Sequence, residues 1–365
     1  MKILIDIRLL SKGGQSGIEE YTKHLITNLL AIDKSNTYQL FYNGWRKNPL
    51  PQIWLNKAEV IDRKIPNKLF DLKSRFLNNS DIPQADLVFT PHLNILKTKN
   101  PRILTIHDLS FIHYPHFFPR QSRIWHWLQD YKNQIKEASL ITAVSDFTKQ
   151  DLMETLKVPE KKISVVPLGI SEEFKVLDVE RPTSLNFPFI LYLGTIEPRK
   201  NVSAIIRAFN IVKANNKLKD LKLVLAGRLG WLYQETLRTY QASPYKEDII
   251  LWGPVKEEDR ASLYNLAEAL VYPSFFEGFG LPPLEAQACG CPVIASQRTS
   301  LPEVLGSSAR LIDPWRINDL AGTIEEVLTT NLKEKLREAG LINVKRFNWS
   351  RSAQQLLDIF NSYEN

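Results

Sequence analysis

Glu277 and Glu285 stand with seven residues between them in the run Pro273-Ser274-Phe275-Phe276-Glu277-Gly278-Phe279-Gly280-Leu281-Pro282-Pro283-Leu284-Glu285-Ala286. Glycines let backbone approach a ligand, and prolines suit the first turn of a helix. The run therefore predicts a glycine-rich loop carrying Glu277, Gly278 and Phe279, then a helix with Glu285 one turn in. Amides around Gly280 and Leu281 would point from that helix start toward an anion. Carboxylates beside such amides are suited to accept hydrogen bonds from sugar or ribose hydroxyls. The plainer reading of Glu285 is complementarity to the helix dipole, worth about 0.3–1 kcal/mol. That reading leaves the glycines and Glu277 together unexplained.

A second group is Gly194-Thr195-Ile196-Glu197-Pro198-Arg199-Lys200-Asn201, between a strand-like and a helix-like run. Arg199 binds in a fork and Lys200 as a point charge, so the pair makes a diphosphate clamp. The plainer reading is a surface turn with solvated charges. A third group is Ser11-Lys12-Gly13-Gly14-Gln15-Ser16-Gly17-Ile18, ahead of a helix. Its glycines and helix start suit a phosphate, whereas Glu19 and Glu20 oppose an anion unless they turn away. A tight strand–helix turn is the plainer reading there.

His107-Asp108 closes the strand-like run Ile103–Ile106. A histidine at a strand end can donate to a ligand oxygen, or simply cap the strand. His92 is a weaker candidate of the same kind. His24, His113, His116 and His126 read as helix-face or loop residues. None of the six histidines has metal-ligand spacing, so no metal site is expected.

These groups need elements to hold them. Strand-like runs at Lys2–Ile7, Tyr38–Tyr42, Asp86–Thr90, Ile103–His107 and Leu140–Ser145 alternate with helical stretches. The second half repeats the style at Phe189–Gly194, Leu221–Ala226, Ile249–Trp252, Ala269–Pro273 and Pro292–Ala295. Helical spacing over 19–32 lines up Tyr21, Leu25, Ile26, Leu29 and Leu30. Further helices are predicted near 201–215, 257–268, 281–289 and 317–330. The alternation predicts an α/β protein of two parallel-sheet domains. Ligands of such sheets bind beyond the carboxyl ends of the strands, here in a cleft that the two domains face. The boundary falls within 165–188, where prolines and polar residues separate two strands. A last helix spans 349–363, and pattern alone does not assign it to a domain.

The 365 residues fit about two domains. Apolar residues are 44% and charged residues 24%, which excludes a disordered or disulfide-stapled chain. Cys289 and Cys291 are too close for an ordinary disulfide, so a reducing cytoplasm is expected. No apolar run is long enough to cross a bilayer. The net charge of +7 is uneven: residues 1–168 carry 24 Lys+Arg against 16 Asp+Glu, and the remainder is near neutral. Such a balance points to an anionic partner or to a solvated, lysine-rich surface.

With these residues in place, the sequence resembles the family 4 retaining glycosyltransferases of the two-domain, Rossmann-like GT-B architecture. The matching pieces are S-G-I-E-E-Y (16–21), H-D-L-S-F (107–111), V-S-D-F-T-K (144–149), V-V-P-L-G-I (165–170), G-T-I-E-P-R-K-N (194–201), A-G-R-L-G-W (226–231), E-G-F-G-L-P-P-L-E-A (277–286) and L-P-E-V-L-G (301–306). The resemblance implies an acceptor-side domain over 1–170, a nucleotide-sugar domain over 171–348, and a helix 349–363 crossing back to the first. It implies that Glu277 binds hydroxyls of the donor sugar and Glu285 those of the ribose. Arg199 and Lys200 would hold the diphosphate, with Gly194, Thr195 and the amides near Gly278, Phe279, Gly280 and Leu281. Gly17 would lie near the diphosphate from the other domain, and His107 near the reacting end of the sugar. The base would sit near Gly227, Arg228 and the loop Trp252–Val255. Some relatives carry arginine where this chain has Thr195, which leaves the clamp to Arg199 and Lys200.

The implied activity is a retaining, metal-independent hexosyl transfer from a nucleotide diphosphate sugar to a glycan or lipid-linked glycan, in cell-surface polysaccharide synthesis. UDP-glucose is the favoured donor and GDP-mannose the second. No cofactor is expected, and Glu277 orients rather than attacks. The alternative is a non-catalytic nucleotide-sugar-binding protein on the same fold. A nucleic-acid partner ranks last, because the recognisable boxes lie in the near-neutral half. The stretch His113–Trp127 mixes aromatics with basic residues. It reads as packed aromatics on a domain helix, with an acceptor loop or a membrane-surface patch as the competing reading. Peripheral contact at the inner face of the membrane, through the basic first half, belongs to the same expectation.

Overall fold

The computed structural model describes residues 1–13, 16–44, 48–76 and 82–363. Gly14 and Gln15 of the first glycine turn lie outside the described residues. The strands form two wholly parallel sheets. The first comprises β1 (Lys2–Asp6), β2 (Thr37–Phe41), β3 (Ala58–Ile61), β4 (Leu87–Thr90), β5 (Arg102–Ile106), β6 (Leu140–Ala143) and β7 (Ile163–Val165). Its order is β3-β2-β1-β4-β5-β6-β7. The second comprises β8 (Phe189–Leu193), β9 (Lys222–Ala226), β10 (Ile249–Gly253), β11 (Ala269–Tyr272), β12 (Val293–Ser296) and β13 (Arg310–Ile312). Its order is β10-β9-β8-β11-β12-β13. Helices covering both faces let the central strands read as continuous apolar runs, as in β4 and β8, whose residues are all buried.

The chain divides into two compact units, each with one Rossmann-like sheet. The first holds Met1–Phe111, Arg120–Gly169 and Phe347–Asn365, and the second Ile112–Pro119 and Ile170–Arg346. The eight residues Ile112–Pro119 thus leave the first unit and rejoin it. The aromatics of His113–Trp127 are split accordingly. The helix Arg120–Leu128 that follows has no fully buried residue, half-buries His126 and exposes Ile124 and Trp127.

In the first unit, the helix Gly17–Ile32 opens with a capping box. Ser16 Oγ accepts from the Glu19 amide, and the Glu19 carboxylate accepts from the Ser16 amide at 2.7 Å. Its buried stripe includes Tyr21, Leu25, Ile26, Leu29 and Leu30. The last helix, Trp349–Asn361, is capped by Asn348 and packs along it. Trp349 stacks on His24 at 5.4 Å and meets Tyr21 at 6.1 Å. Gly169 permits this approach, since a Cβ there would lie 2.2 Å from the Trp349 amide nitrogen.

Candidate functional site

A buried charged cluster lies in the second unit, at the carboxyl ends of β8 and β11. The chain leaves β8 through Gly194 and reaches a single 3-10 turn, Pro198–Lys200, before the helix Val202–Ala214. Asn201 takes φ +56° there and donates to the carbonyls of Pro273 and Pro314, which ties this turn to the loops after β11 and β13. The Phe275 amide also donates to the Arg199 carbonyl at 2.9 Å. Arg199 and Lys200 therefore face Glu277 across two joined loops.

The contacts are close. Lys200 Nζ donates to Glu277 Oε1 at 2.6 Å and to the Tyr272 hydroxyl at 2.7 Å. Arg199 Nη1 donates to Glu277 Oε2 at 3.1 Å and to the Phe276 carbonyl at 2.8 Å. Its other nitrogens pair with Glu197 at 3.0 and 3.1 Å. Burial works against the Glu277 carboxylate, but Lys200 and Arg199 outweigh it and bring its pKa down to about 2. Burial likewise pulls Lys200 below the usual lysine range, with Glu277 opposing that pull. Two cations and two carboxylates balance. The carboxylates hold both cations in fixed orientations.

The glycine-rich loop is fixed from behind. Ser300 Oγ donates to the carbonyls of Glu277 and Phe279, and the Glu277 amide donates to Thr299 Oγ1. Gly280 caps the helix Leu281–Ala288 at φ +100°, and a Cβ there would lie 2.6 Å from Leu301 Cδ2. Pro282 and Pro283 have no amide hydrogen, so the donors of this helix start are the amides of Gly280 and Leu281, at the edge of the loop. Gly194 and Gly227 bring the ends of β8 and β9 together. A Cβ on Gly227 would lie 1.9 Å from the Gly194 carbonyl oxygen. Beside them, Arg228 Nε donates to Thr195 Oγ1 at 3.5 Å. Val255 lies in the loop after β10, partly buried.

Glu285 is not part of this cluster. It is buried in the helix Leu281–Ala288 and faces the helix Glu257–Leu266. There the Tyr264 hydroxyl donates to it at 2.8 Å and Arg260 Nη1 lies 3.6 Å away. Burial pushes its carboxyl pKa up, against the pull of Arg260 and Tyr264.

In the first unit, His107 follows β5. Its Nε2 lies 2.9 Å from the Pro91 carbonyl, which can only accept, so this nitrogen carries the proton. Burial depresses its pKa, so the ring is neutral and Nδ1 is an acceptor. The donor nitrogen is thus taken by backbone, the plainer of the two sequence readings, and the nitrogen left over, Nδ1, can only accept. Tyr21 meets the His107 ring edge-on at 4.7 Å, and its hydroxyl joins the buried pair Thr105 and Thr142. Gly17 is exposed at the helix start, and Glu19 is turned into the capping box.

His107 lines a cavity of about 190 Å³ together with Arg8, Asp71, His92, Trp125 and His126. Arg8 is 1% exposed and binds Asp6 in a fork at 2.7 and 2.9 Å, with Asp71 at 3.0 Å. Sequence reading passed over this triad. Its signal is a charged pair, Asp6 at the end and Arg8 just beyond the end of a strand whose middle residues Ile3–Ile5 are apolar.

Comparison with known proteins follows the same division. The description "Glycosyltransferase Family 4" matches residues 16–174, and "Glycosyl transferases group 1" matches 177–343. The O-antigen chain mannosyltransferase B of Escherichia coli is 30% identical over 266 residues, covering 71% of this chain and 69% of that protein. The serotype-specific mannosyltransferase WbdA of Escherichia coli is 32% identical over 246 residues, which is 63% of this chain and 30% of that longer protein. Among solved structures, Anabaena HepE with UDP-glucose superposes with a TM-score of 0.74 at 17% identity, covering 99% of this chain and 100% of that one. Sucrose-phosphate synthase of Thermosynechococcus elongatus superposes with a TM-score of 0.77 at 18% identity, covering 99% and 98%. These two share the GT-B fold. With both halves matched by the two descriptions and a mannosyltransferase aligned across most of its length, the chain belongs to glycosyltransferase family 4.

Proposed function

We propose that the protein transfers a mannosyl residue from GDP-mannose to a growing glycan, free or lipid-linked, in cell-surface polysaccharide synthesis. The observation that carries the reading is the Arg199–Lys200–Glu277 cluster at the carboxyl ends of β8 and β11. The relatives named for O-antigen and serotype-specific mannosyl transfer favour mannose over the glucosyl donor expected from sequence. The HepE complexes with UDP and UDP-glucose support a nucleotide-sugar donor in this fold without choosing the base.

Breaking the anomeric bond builds negative charge on the leaving diphosphate. Arg199, Lys200 and the amides of Gly280 and Leu281 answer that charge, and they do so more strongly as it grows. The clamp makes metal-independent chemistry the simplest reading. Glu277 stays ionised at any working pH and offers its remaining lone pairs to sugar hydroxyls. Two cations draw on its oxygens, so it is an orienting group rather than a nucleophile. Retention then comes from departure and attack on one face, with the leaving diphosphate oxygen taking the acceptor's proton. Glu285 binds the ribose hydroxyls in this reading. The acceptor enters the cavity beside His107, whose Nδ1 accepts from a sugar hydroxyl. Ile124 and Trp127, exposed beside Arg120 and Arg123, favour work at an anionic membrane surface. No helix among the described residues is long and apolar enough to cross one.

The test is a thermal-shift panel of GDP, GDP-mannose, UDP, UDP-glucose and ADP, in EDTA. A ligand at 100 times its dissociation constant stabilises by about 2.7 kcal/mol, a readily measured shift. GDP and GDP-mannose should stabilise, and the others should not. Stabilisation by uridine compounds alone would reverse the donor assignment.

A further inference from the structure

The residues Ile112–Pro119 are encoded in the first half but pack within the second unit. Their rings form a continuous contact with the two residues that precede Glu277. His113 stacks on Phe276 at 5.5 Å, and Tyr114 meets the same ring at 6.0 Å. Phe117 stacks on Tyr114 at 5.0 Å and on Phe275 at 5.5 Å. On its far side Phe275 packs against Trp315 at 4.2 Å. A second grip reaches the loop after β9: Trp231 Nε1 donates to the Phe117 carbonyl at 2.8 Å, and its ring stacks on Phe118 at 5.7 Å.

Phe275 and Phe276 are also the backbone partners of Arg199. One donates its amide to the Arg199 carbonyl, and the other accepts from the Arg199 guanidinium. The strap therefore bears on the two residues that join Glu277 to its cation. Interlocked rings are a firm support, because each rotamer is blocked by the next. Phe111, just before the strap, and Trp125 and His126, in the helix after it, line the cavity of the first unit.

We infer that Ile112–Pro119 is a structural part of the donor site, and that Phe117, with Tyr114 and His113, positions Glu277 through Phe275 and Phe276. These are positioning residues, acting on Glu277 through the rings of Phe275 and Phe276. The inference concerns the loop itself and holds whichever nucleotide is bound. Only its turnover arm rests on the proposed mannosyl transfer.

The experiment is hydrogen exchange on the full chain, comparing wild type, Phe117→Ala, Phe117→Tyr and Trp231→Phe without ligand. Amides of 274–280 should exchange at least tenfold faster in Phe117→Ala, while those of β1 and β5 keep their wild-type rates. Phe117→Tyr should restore protection. Trp231→Phe removes only the indole hydrogen bond and should give a smaller change of the same sign, which keeps the test alive if Phe117→Ala does not fold. With GDP-mannose as donor, Phe117→Ala should lower kcat at least tenfold and change KM less than threefold. Unchanged exchange at 274–280 in both Phe117→Ala and Trp231→Phe overturns the inference. Faster exchange in variants of a protein that does not turn over GDP-mannose leaves the strap standing and removes the functional reading instead.

Discussion

Lys200 Nζ lies 2.6 Å from Glu277 Oε1 while Arg199 Nη1 holds Oε2 at 3.1 Å, so adjacent cations bridge both oxygens of one buried carboxylate. The three side chains come from two loops that share backbone and side-chain hydrogen bonds. Because the two loops are tied together, single substitutions should disturb the whole cluster.

Lys200→Ala leaves Glu277 with Arg199 alone. Burial then counts for more, and the Glu277 carboxyl should rise from about 2 toward the ordinary carboxylate range. The acid limb of kcat/KM should move to higher pH by at least one unit, with a 10²–10³-fold loss of rate at neutral pH, roughly the cost of one charge-stabilising donor. A pH–rate profile checks both. An unmoved acid limb would remove Lys200 from the account.

Glu285→Gln keeps the shape and removes a charge that Tyr264 and Arg260 hold in the helix interface. Its pKa is raised by burial, so the loss of charge should cost little stability. Nucleotide affinity should fall about tenfold, or about 1.4 kcal/mol. Titration calorimetry with GDP separates the two effects. A large loss of melting temperature with unchanged affinity would make Glu285 structural.

Stability should decline as pH falls below 6.5. Burial depresses His107 and brings His126 to about 4 in the folded protein, against 6.5 unfolded. The folded state therefore binds fewer protons than the unfolded one in this window, so folding weakens as pH drops. Glu277 adds the same sign lower down: its contribution is complete above 4.5 and is lost as pH falls through about 2. Melting temperatures from pH 8 to 4 should fall less steeply in His126→Phe. An identical slope would contradict the assignment.

Gly227→Ala places a methyl 1.9 Å from the Gly194 carbonyl oxygen at φ +137°. Overpacking and backbone strain together should cost about 2–4 kcal/mol. Chemical denaturation should show a lowered midpoint with an unchanged slope. A variant as stable as wild type would mean that β8 and β9 part more easily than their contacts indicate.

Most central strands were legible because their apolar runs are buried on both faces; β8 and β11 lie within a residue of their expected positions. The edge strands β3 and β13 were not, being three or four residues long and only partly buried. Short exposed strands lack the run that marks a buried one. The box around Glu277 was legible because glycine, proline and carboxylate combine there for reasons that helix and turn chemistry supply. The separation of Glu285 from Glu277 was not, since it depends on Tyr264 and Arg260 of another helix. The strap was invisible for the same reason. Nothing in the order of residues 112–119 says that their rings meet Phe275 and Phe276, more than 150 positions away.

The most direct test of the central claim is release of labelled mannose from GDP-mannose, in EDTA, by wild type and by Glu277→Gln. The account predicts slow release by wild type without added metal, and at least 100-fold less by the glutamine variant, on the scale of a lost electrostatic group. Equal release by the two proteins, or none by wild type with acceptor present, would contradict it.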